Sequence, residues 1–285
     1  MLDCAVVGSG LAGISAALTL KANGKSFVLF GSKNLSVKIE KAEKINNYAG
    51  LFLVTGKEFC SALKDQLERE NIPVKDDRVT GVYAMNDSFT LLTESGESVQ
   101  SRTVILAVGV ESAGKIKGEE TFTGRGVSYC ATCDGALYKG KTIAVVCTSK
   151  RFEGEAEYLA NVAKSVYYIP VYKNPTLIKD NVQTLQKFPV EIAGGLKVDK
   201  LVFKDGELAV DGVFMLKESA PPATLCGGLQ TENGHVVVGR DASTNIRGLF
   251  AAGDCTGRPY QYAKAAGEGN VAAHSVVEYL RNRKE

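Results

Sequence analysis

Gly8-Ser9-Gly10-Leu11-Ala12-Gly13 constrains the fold of this chain more than any other feature. It follows a short apolar run, Asp3-Cys4-Ala5-Val6-Val7, and opens a helical stretch over 14–22 that Asn23-Gly24 ends. A second apolar run covers 26–30, so the segment reads as strand, glycine turn, helix and parallel strand. In such a unit each glycine has its own reason. One makes the tight turn, one lets backbone approach a pyrophosphate, and one lets helix and strand pack closely. The phosphates of a dinucleotide would rest on free N–H groups at the positive end of the helix. An acidic residue at the end of the second strand usually holds the ribose hydroxyls, but Phe30-Gly31-Ser32-Lys33 stands there. Ser32 or backbone groups must substitute, and Lys33 meets either a phosphate or water.

The rest of the first half reads as a helix over 57–70, alternating strands over 81–94 and a strand over 103–108. A second strand–turn–helix–strand unit begins near Gly140, with strands over 141–146 and 165–169 and a helix over 153–164. Its turn is Cys147-Thr148-Ser149-Lys150-Arg151-Phe152, with side chains where a pyrophosphate would approach and a large ring where helix and strand should close. The strand after it ends in Pro170-Val171-Tyr172-Lys173, with neither a ribose-binding acid nor an arginine cluster. This second unit looks like a dinucleotide fold that no longer holds its dinucleotide. Strand-like segments continue over 198–215, and a strand over 248–252, Gly253-Asp254 and a helix over 264–282 return to the style of the first unit.

With 285 residues the chain can form one large or two ordinary domains. No apolar run approaches the roughly 20 residues that span a bilayer, and no signal peptide is read at Met1-Leu2-Asp3-Cys4, so a cytoplasmic protein off the membrane is expected. The net charge of +2 gives no argument for nucleic acid. Groups such as Lys38, Lys41 and Lys44 read as a solvated face or as docking for an acidic partner.

Seven cysteines, scattered except for one CxxC pair, are not a secreted disulfide framework. In a reducing compartment the pair is catalytic or metal-binding. His235 and His274 are isolated, so the four ligands of a structural zinc are not expected. Cys4, Cys60, Cys226 and Cys255 read as structural, whereas Cys147 in the broken turn is worth watching. The pair itself, in Gly124-Arg125-Gly126-Val127-Ser128-Tyr129-Cys130-Ala131-Thr132-Cys133-Asp134-Gly135, stands at a helix start. Two cysteines so spaced face the same way, can form a disulfide, and have a thiol pKa lowered by the helix end. Asp134 puts a carboxylate beside them to move protons.

Over nearly its whole length the chain resembles the low-molecular-weight thioredoxin reductases, through GSGLAG at 8–13, GRGVSYCATCDG at 124–135, GLFAAGD at 248–254 and AAGEG at 265–269. The resemblance implies an α/β protein of two Rossmann-like, three-layer ββα domains. An FAD domain would take 1–112 and 236–285, and a central domain 113–235 would carry the CxxC pair. It further implies that Gly8, Ser9, Gly10, Leu11, Ala12 and Gly13 hold the FAD pyrophosphate, with Ser32, Gly109 and Gly253 beside the cofactor. Asn47 would lie near the flavin, Val79 would offer backbone to adenine, Asp254 would bind the ribityl chain, and Gln261 with Tyr262 at the following helix start would meet the flavin pyrimidine. The arginine usual before that glutamine is Tyr260 here, which puts that contact in question.

The same resemblance assigns Cys133 to the flavin, Cys130 to attack on the substrate disulfide and Asp134 to the family's acid. Loss of both NADPH motifs, at 147–152 and 170–173, resembles the pyridine-nucleotide-independent branch, the ferredoxin-dependent flavin thioredoxin reductases. In that branch ferredoxin delivers electrons singly and thioredoxin accepts them, and the wider family implies a homodimer. An NADPH-dependent reductase with a divergent loop, a flavoprotein that senses partners without turnover, and a reductase for another disulfide stay open at this point.

Overall fold

The computed structural model describes residues 1–40, 42–110, 116–217 and 221–283. Lys41, singled out above for its charge, lies outside them. Two units result, one of Met1–Val110 with Pro221–Glu285 and one of Glu111–Ala220.

In the outer unit β1 (Leu2–Val7), α1 (Leu11–Ala22) and β2 (Phe27–Phe30) form the parallel unit the glycines require, with Val7 opposite Phe30. β1 is buried on both faces, as parallel strands covered by other layers are. Cys4 and Val6 face α1, while Ala5 and Val7 join Val79, Val82 and Leu91 on the other side. Short α2 (Val37–Glu40) precedes α3 (Gly56–Arg69), whose start is set by a capping box. The Thr55 Oγ1 accepts from the Glu58 N–H at 3.2 Å, and the Glu58 carboxylate accepts from the Thr55 N–H at 2.7 Å. Such a cap pairs N–H groups that the helix itself leaves without acceptors. The inward stripe of α3 is Phe59, Cys60, Leu63 and Leu67, one face of a 3.6-residue period.

β3 (Val74–Lys75), β4 (Val79–Met85), β5 (Ser88–Thr93) and β6 (Ser98–Leu106) complete the first half of the sheet. β6 is long enough to serve two sheet types. Its first half pairs antiparallel with β5, and it pairs parallel with β1, Leu106 lying opposite Val7.

The second unit contains β7 (Val127–Ser128), α4 (Ala131–Asp134), β8 (Thr142–Cys147), α5 (Glu153–Val162), β9 (Ser165–Pro170), β10 (Val182–Thr184), β11 (Glu191–Gly194), β12 (Val198–Phe203), β13 (Gly206–Ala209) and β14 (Gly212–Leu216). Its parallel sheet runs β10-β9-β8-β14-β7, and β11-β12-β13 is an antiparallel meander. Alternation along β8 and β14 builds three layers. Ala144, Val146, Val213 and Met215 face the meander, whereas Ile143, Val145, Cys147, Phe214 and Leu216 face the helical side with Leu159 and Phe152.

The first and last described stretches of this unit are tied by a buried ion pair. Lys217 Nζ donates to Glu119 Oε1 at 2.8 Å with both side chains 3% exposed, and the Tyr129 hydroxyl donates to the same oxygen at 2.7 Å. The Ile116 N–H bonds the other carboxylate oxygen at 3.2 Å. These bonds satisfy charges whose desolvation would otherwise cost several kcal/mol each.

The chain then returns to the outer unit through α6 (Pro222–Leu225), β15 (Thr231–Glu232), β16 (His235–Val236), β17 (Leu249–Ala251) and α7 (Tyr262–Asn282). The sequence had assigned 221–235 to the central domain, but Cys226 and Leu229 are buried with Val79, Val82 and Leu249 of the outer unit. The other expected boundary, after residue 112, falls outside the described residues. β17 pairs parallel with the end of β6, and α7 packs its Ala272, Ala273 and Val276 on the α1 side of the sheet. Among the described residues no helix is long and apolar enough to cross a membrane.

Candidate functional site

The glycine turn after β1 separates three demands cleanly. Gly8 has φ +120°, and a Cβ there would lie 2.3 Å from the Ala107 carbonyl oxygen. A Cβ on Gly13 would lie 1.8 Å from the Gly8 oxygen, so the first turn of α1 closes directly on the end of β1. At Gly10 a Cβ would meet nothing within 4 Å. Gly10 is also the N-cap of α1 and offers no side-chain cap, which leaves the first N–H groups of the helix without a side-chain acceptor. Tight backbone on two sides and open space with N–H donors on the third is a cradle that fits a dinucleotide pyrophosphate. Ser9 turns its hydroxyl to the Ser32 carbonyl at 3.0 Å, and the Ser32 hydroxyl accepts from the Asn34 N–H at 3.1 Å. The Ser32 side chain thus shapes the turn after β2.

The loop after β17 lies against this cradle, since a Cβ on Gly253 would come within 2.9 Å of the Ala12 methyl. Asp254 is half-buried, and burial raises its carboxyl above the usual range against the opposing charges of Lys38 and Lys264. Two residues of α7 fix the loop. Lys264 Nζ donates to the Gly253 and Gly257 carbonyls at 2.9 Å each, and Glu268 accepts from the Gly253 N–H at 2.8 Å. Lys264 and Glu268 pair one helical turn apart at 3.0 Å, and that spacing was the available signal.

Asn47 and Gln261, read separately from the sequence, are brought together, with Asn47 Nδ2 donating to Gln261 Oε1 at 2.8 Å. Gln261 is the N-cap of α7. Tyr262 packs its ring edge-on to Phe59 at 6.3 Å, and the Tyr260 hydroxyl lies 2.6 Å from His235 Nε2. Gly109 has φ +67° just beyond β6, and Val79 is buried at the head of β4.

In the central unit Cys130 and Cys133 are joined by an S–S bond of 2.03 Å. Cys130 is the N-cap of the single-turn α4, and its sulfur accepts from the Cys133 N–H at 3.1 Å and the Thr132 hydroxyl at 3.5 Å. Those donors would favour a thiolate at Cys130 once the disulfide opens. Asp134 accepts from the Ser128 hydroxyl at 2.7 Å, which holds its carboxylate beside the pair. Cys130 is 8% exposed, whereas Cys133 is exposed.

The turn after β8 is filled by the protein itself. Phe152 is buried in the helical-side core at 2% exposure, a burial that contributes about 2–3 kcal/mol. Glu153, in the first turn of α5, accepts from the Tyr172 hydroxyl at 2.6 Å and from the Thr176 N–H at 2.7 Å, and the Thr176 hydroxyl bonds its second oxygen. Burial pushes this carboxyl up, but the Thr176 and Tyr172 bonds more than offset it and hold it below the usual range. Tyr168 continues the chain, its hydroxyl 2.5 Å from that of Tyr172. Buried Cys147 bonds the Ser149 carbonyl at 3.3 Å, and burial pushes its thiol up. The first turn of α5 therefore carries a carboxylate tied to Tyr172 and Thr176, a negative charge that would repel a phosphate approaching the helix start, and a tyrosine stands beyond β9 where a ribose would be read. Cys4, Cys60, Cys226 and Cys255 are likewise free and buried.

A solved ferredoxin-flavin thioredoxin reductase from Clostridium acetobutylicum is 47% identical to this chain, with a TM-score of 0.90 over 99% of this chain and 98% of that one. Thioredoxin reductase of Helicobacter pylori is 33% identical over 99% of this chain and 100% of its own length, and that of Aquifex aeolicus 31% identical over 99% and 94%. The family model for pyridine nucleotide-disulphide oxidoreductases matches residues 2–169. With that match over more than half its length and those relatives aligned end to end, the chain belongs to the pyridine nucleotide-disulphide oxidoreductase family, on its thioredoxin reductase branch.

Proposed function

We propose that this protein is an FAD-dependent reductase that opens the disulfide of thioredoxin with its Cys130–Cys133 dithiol and draws electrons from reduced ferredoxin instead of NADPH. The observation that carries the reading is the contrast between the two glycine turns, one with open space at Gly10 and one filled by Phe152, Glu153 and Tyr172. The Clostridium acetobutylicum protein, similar along its whole length, is a ferredoxin-flavin thioredoxin reductase. FAD held at the first of these turns would supply a store able to take electrons singly and give them in pairs.

Gly8, Ser9, Gly10, Leu11, Ala12 and Gly13 would hold the pyrophosphate, with Ser32, Val79, Gly109, Gly253 and Asp254 along the rest of the cofactor. Asn47, Gln261, Tyr260 and Tyr262 would attend the flavin end. Asp254, half-buried with a raised pKa, suits hydrogen bonding to hydroxyls of a polyol chain.

In the reduced pair, the Cys130 thiolate attacks one sulfur of the thioredoxin disulfide and expels the other as a thiolate. Cys133 then attacks Cys130 Sγ, restoring the S–S bond and freeing the second thiol of the partner. The Cys133 N–H and Thr132 hydroxyl support the Cys130 thiolate, and Asp134, steadied by Ser128, carries protons to and from the sulfurs. Since Cys130 is 8% exposed, its attack requires the pair to become more accessible than in the disulfide form. Two ferredoxins, each giving one electron, and two protons balance one disulfide opened to two thiols.

Anaerobic mixing of the holoprotein with NADPH and, separately, with reduced ferredoxin tests the donor. The expected result is flavin bleaching by ferredoxin and none on the turnover timescale by NADPH. Rapid bleaching by NADPH alone overturns the reading. A cytoplasmic location belongs to the same reading, supported by five free thiols that suit a reducing compartment; so does a homodimer, which sedimentation of the holoprotein checks.

A further inference from the structure

The loop between α2 and α3 exposes apolar side chains that the reaction above does not use. Phe52 is 82% exposed and Leu53 46% exposed, while their neighbours Tyr48, Leu51 and Val54 pack against the core. The loop is held in this shape. The Ile45 N–H bonds the Val54 carbonyl at 2.7 Å across its neck, and the Leu51 N–H bonds the Tyr48 carbonyl at 3.0 Å within it. Leu53 has φ +53°, a left-handed conformation that a leucine rarely adopts. A loop that keeps a strained leucine and an exposed phenylalanine beside its neck is built to present them.

Its setting is basic. Between residues 33 and 58 the chain carries five lysines against three glutamates, a net +2 that equals the net charge of the whole chain. Two of those glutamates, Glu43 and Glu58, are exposed beside Lys44 and Lys57. Lys44 and Lys57 flank the loop and are exposed. Within the loop, Asn47 is hydrogen-bonded to Gln261, and next to Gln261 stand Tyr260, 41% exposed, and Arg258, whose guanidinium lies 5.5 Å from the Tyr260 ring centre.

We propose that the loop arm at Phe52 and Leu53, between Lys44 and Lys57 in the chain, is the docking surface for the acidic protein that supplies electrons. The inference rests on the donor reading above and adds where that donor binds. A small apolar centre with a basic rim is the form of a weak electron-transfer contact, where charge steers encounter and an aromatic anchor holds it briefly. The loop belongs to the unit of the glycine cradle, and through Asn47 and Gln261 it reaches the start of α7. A partner seated on it therefore addresses the cofactor end, whereas a disulfide partner must address Cys130 and Cys133 in the other unit.

The test uses FAD-loaded Phe52→Ser and Lys44→Glu proteins and a small acidic ferredoxin, pre-reduced and freed of excess reductant. Affinity for ferredoxin should fall about tenfold in Phe52→Ser, as for loss of an interface anchor. In Lys44→Glu it should fall several-fold with a shallower salt dependence. Flavin content, bleaching by dithionite and the KM for thioredoxin should match wild type in both. Unchanged ferredoxin affinity in Phe52→Ser overturns the proposal. A raised KM for thioredoxin would assign this arm to the acceptor, and dissociation of a dimer would assign it to a second copy; either result also overturns the proposal. If wild-type protein is itself not bleached by ferredoxin, the donor reading fails first, and this surface with it.

Discussion

Alanine at Gly10 and alanine at Gly13 should have opposite effects, because the same methyl meets opposite surroundings. At Gly13 it would sit 1.8 Å from the Gly8 carbonyl oxygen, a backbone atom that no side-chain rotation can move aside. Reaching ordinary contact needs about 1.5 Å of movement between α1 and β1. Overpacking of that kind costs about 1–3 kcal/mol or more, so Gly13→Ala should lower the melting temperature of the apoprotein by several degrees. At Gly10 the methyl meets no protein atom within 4 Å. The loss of a glycine N-cap, about 0.5–1 kcal/mol, is offset by about 0.4–1 kcal/mol from a stiffer unfolded chain.

Apoprotein carrying Gly10→Ala should therefore melt close to wild type. Its methyl would instead stand where a phosphate approaches the helix N–H groups. Losing one hydrogen bond to a charged oxygen there is worth about 1.5–3 kcal/mol, or roughly 10- to 150-fold in Kd. Thermal unfolding of both apoproteins and titration with FAD, followed by flavin fluorescence, separate the two effects. Wild-type FAD affinity in Gly10→Ala, or wild-type melting in Gly13→Ala, would refute the assignment of cradle and packing roles.

Breaking the Glu119–Lys217 pair by Lys217→Met should cost about 3–5 kcal/mol in chemical denaturation, since it strands a buried carboxylate, and adding Glu119→Gln should recover part of the loss. Burial pushes the Cys4 and Cys255 thiols up to about 12, from an unfolded value near 9.0. Their contribution is thus complete below pH 9 and is lost as pH rises toward 12, by on the order of 1 kcal/mol each at pH 10. Denaturation midpoints at pH 8 and pH 10 should show that drop, and Cys255→Ala should reduce it. Asp134→Asn should slow thioredoxin reduction by about 10²–10⁴-fold and flatten its pH profile, while Ser128→Ala, which removes the bond steadying Asp134, should cost less than tenfold; equal rates in Asp134→Asn and wild type would remove the proton-carrying role.

The features legible in the sequence were those written in local spacing. The glycine turn fixed β1, α1 and β2, and the CxxC spacing placed Cys130 and Cys133 on one short turn where they bond. α1 begins at Leu11 and not at residue 14, because the turn's last residues already lie in the helix. What stayed hidden was written in contacts between distant residues. Glu119 and Lys217 are 98 positions apart, and neither has a local pattern that announces a buried pair. The broken turn at 147–152 was readable as a loss, but its replacement was not, since Glu153 meets Tyr172 and Thr176 only once β9 and the following loop have folded back. The hydrogen bond of His235 is of the same kind, its partner Tyr260 lying 25 positions further on. Residues 221–235 were misassigned because Cys226 and Leu229 find their core on strands made far earlier.

The division of the outer unit between two stretches of chain also bears on how the protein is made. A ribosome releases β1 to β6 first, then the whole central unit, and only afterwards β17, the Asp254 loop and α7. The central unit is continuous and can close as soon as it emerges. During that interval the second half of β6 lacks its β17 partner, and α1 lacks the apolar face of α7. Flavin capture must therefore be a late event in biosynthesis, and truncation before α7 should leave an intact disulfide unit attached to an outer unit unable to retain the cofactor.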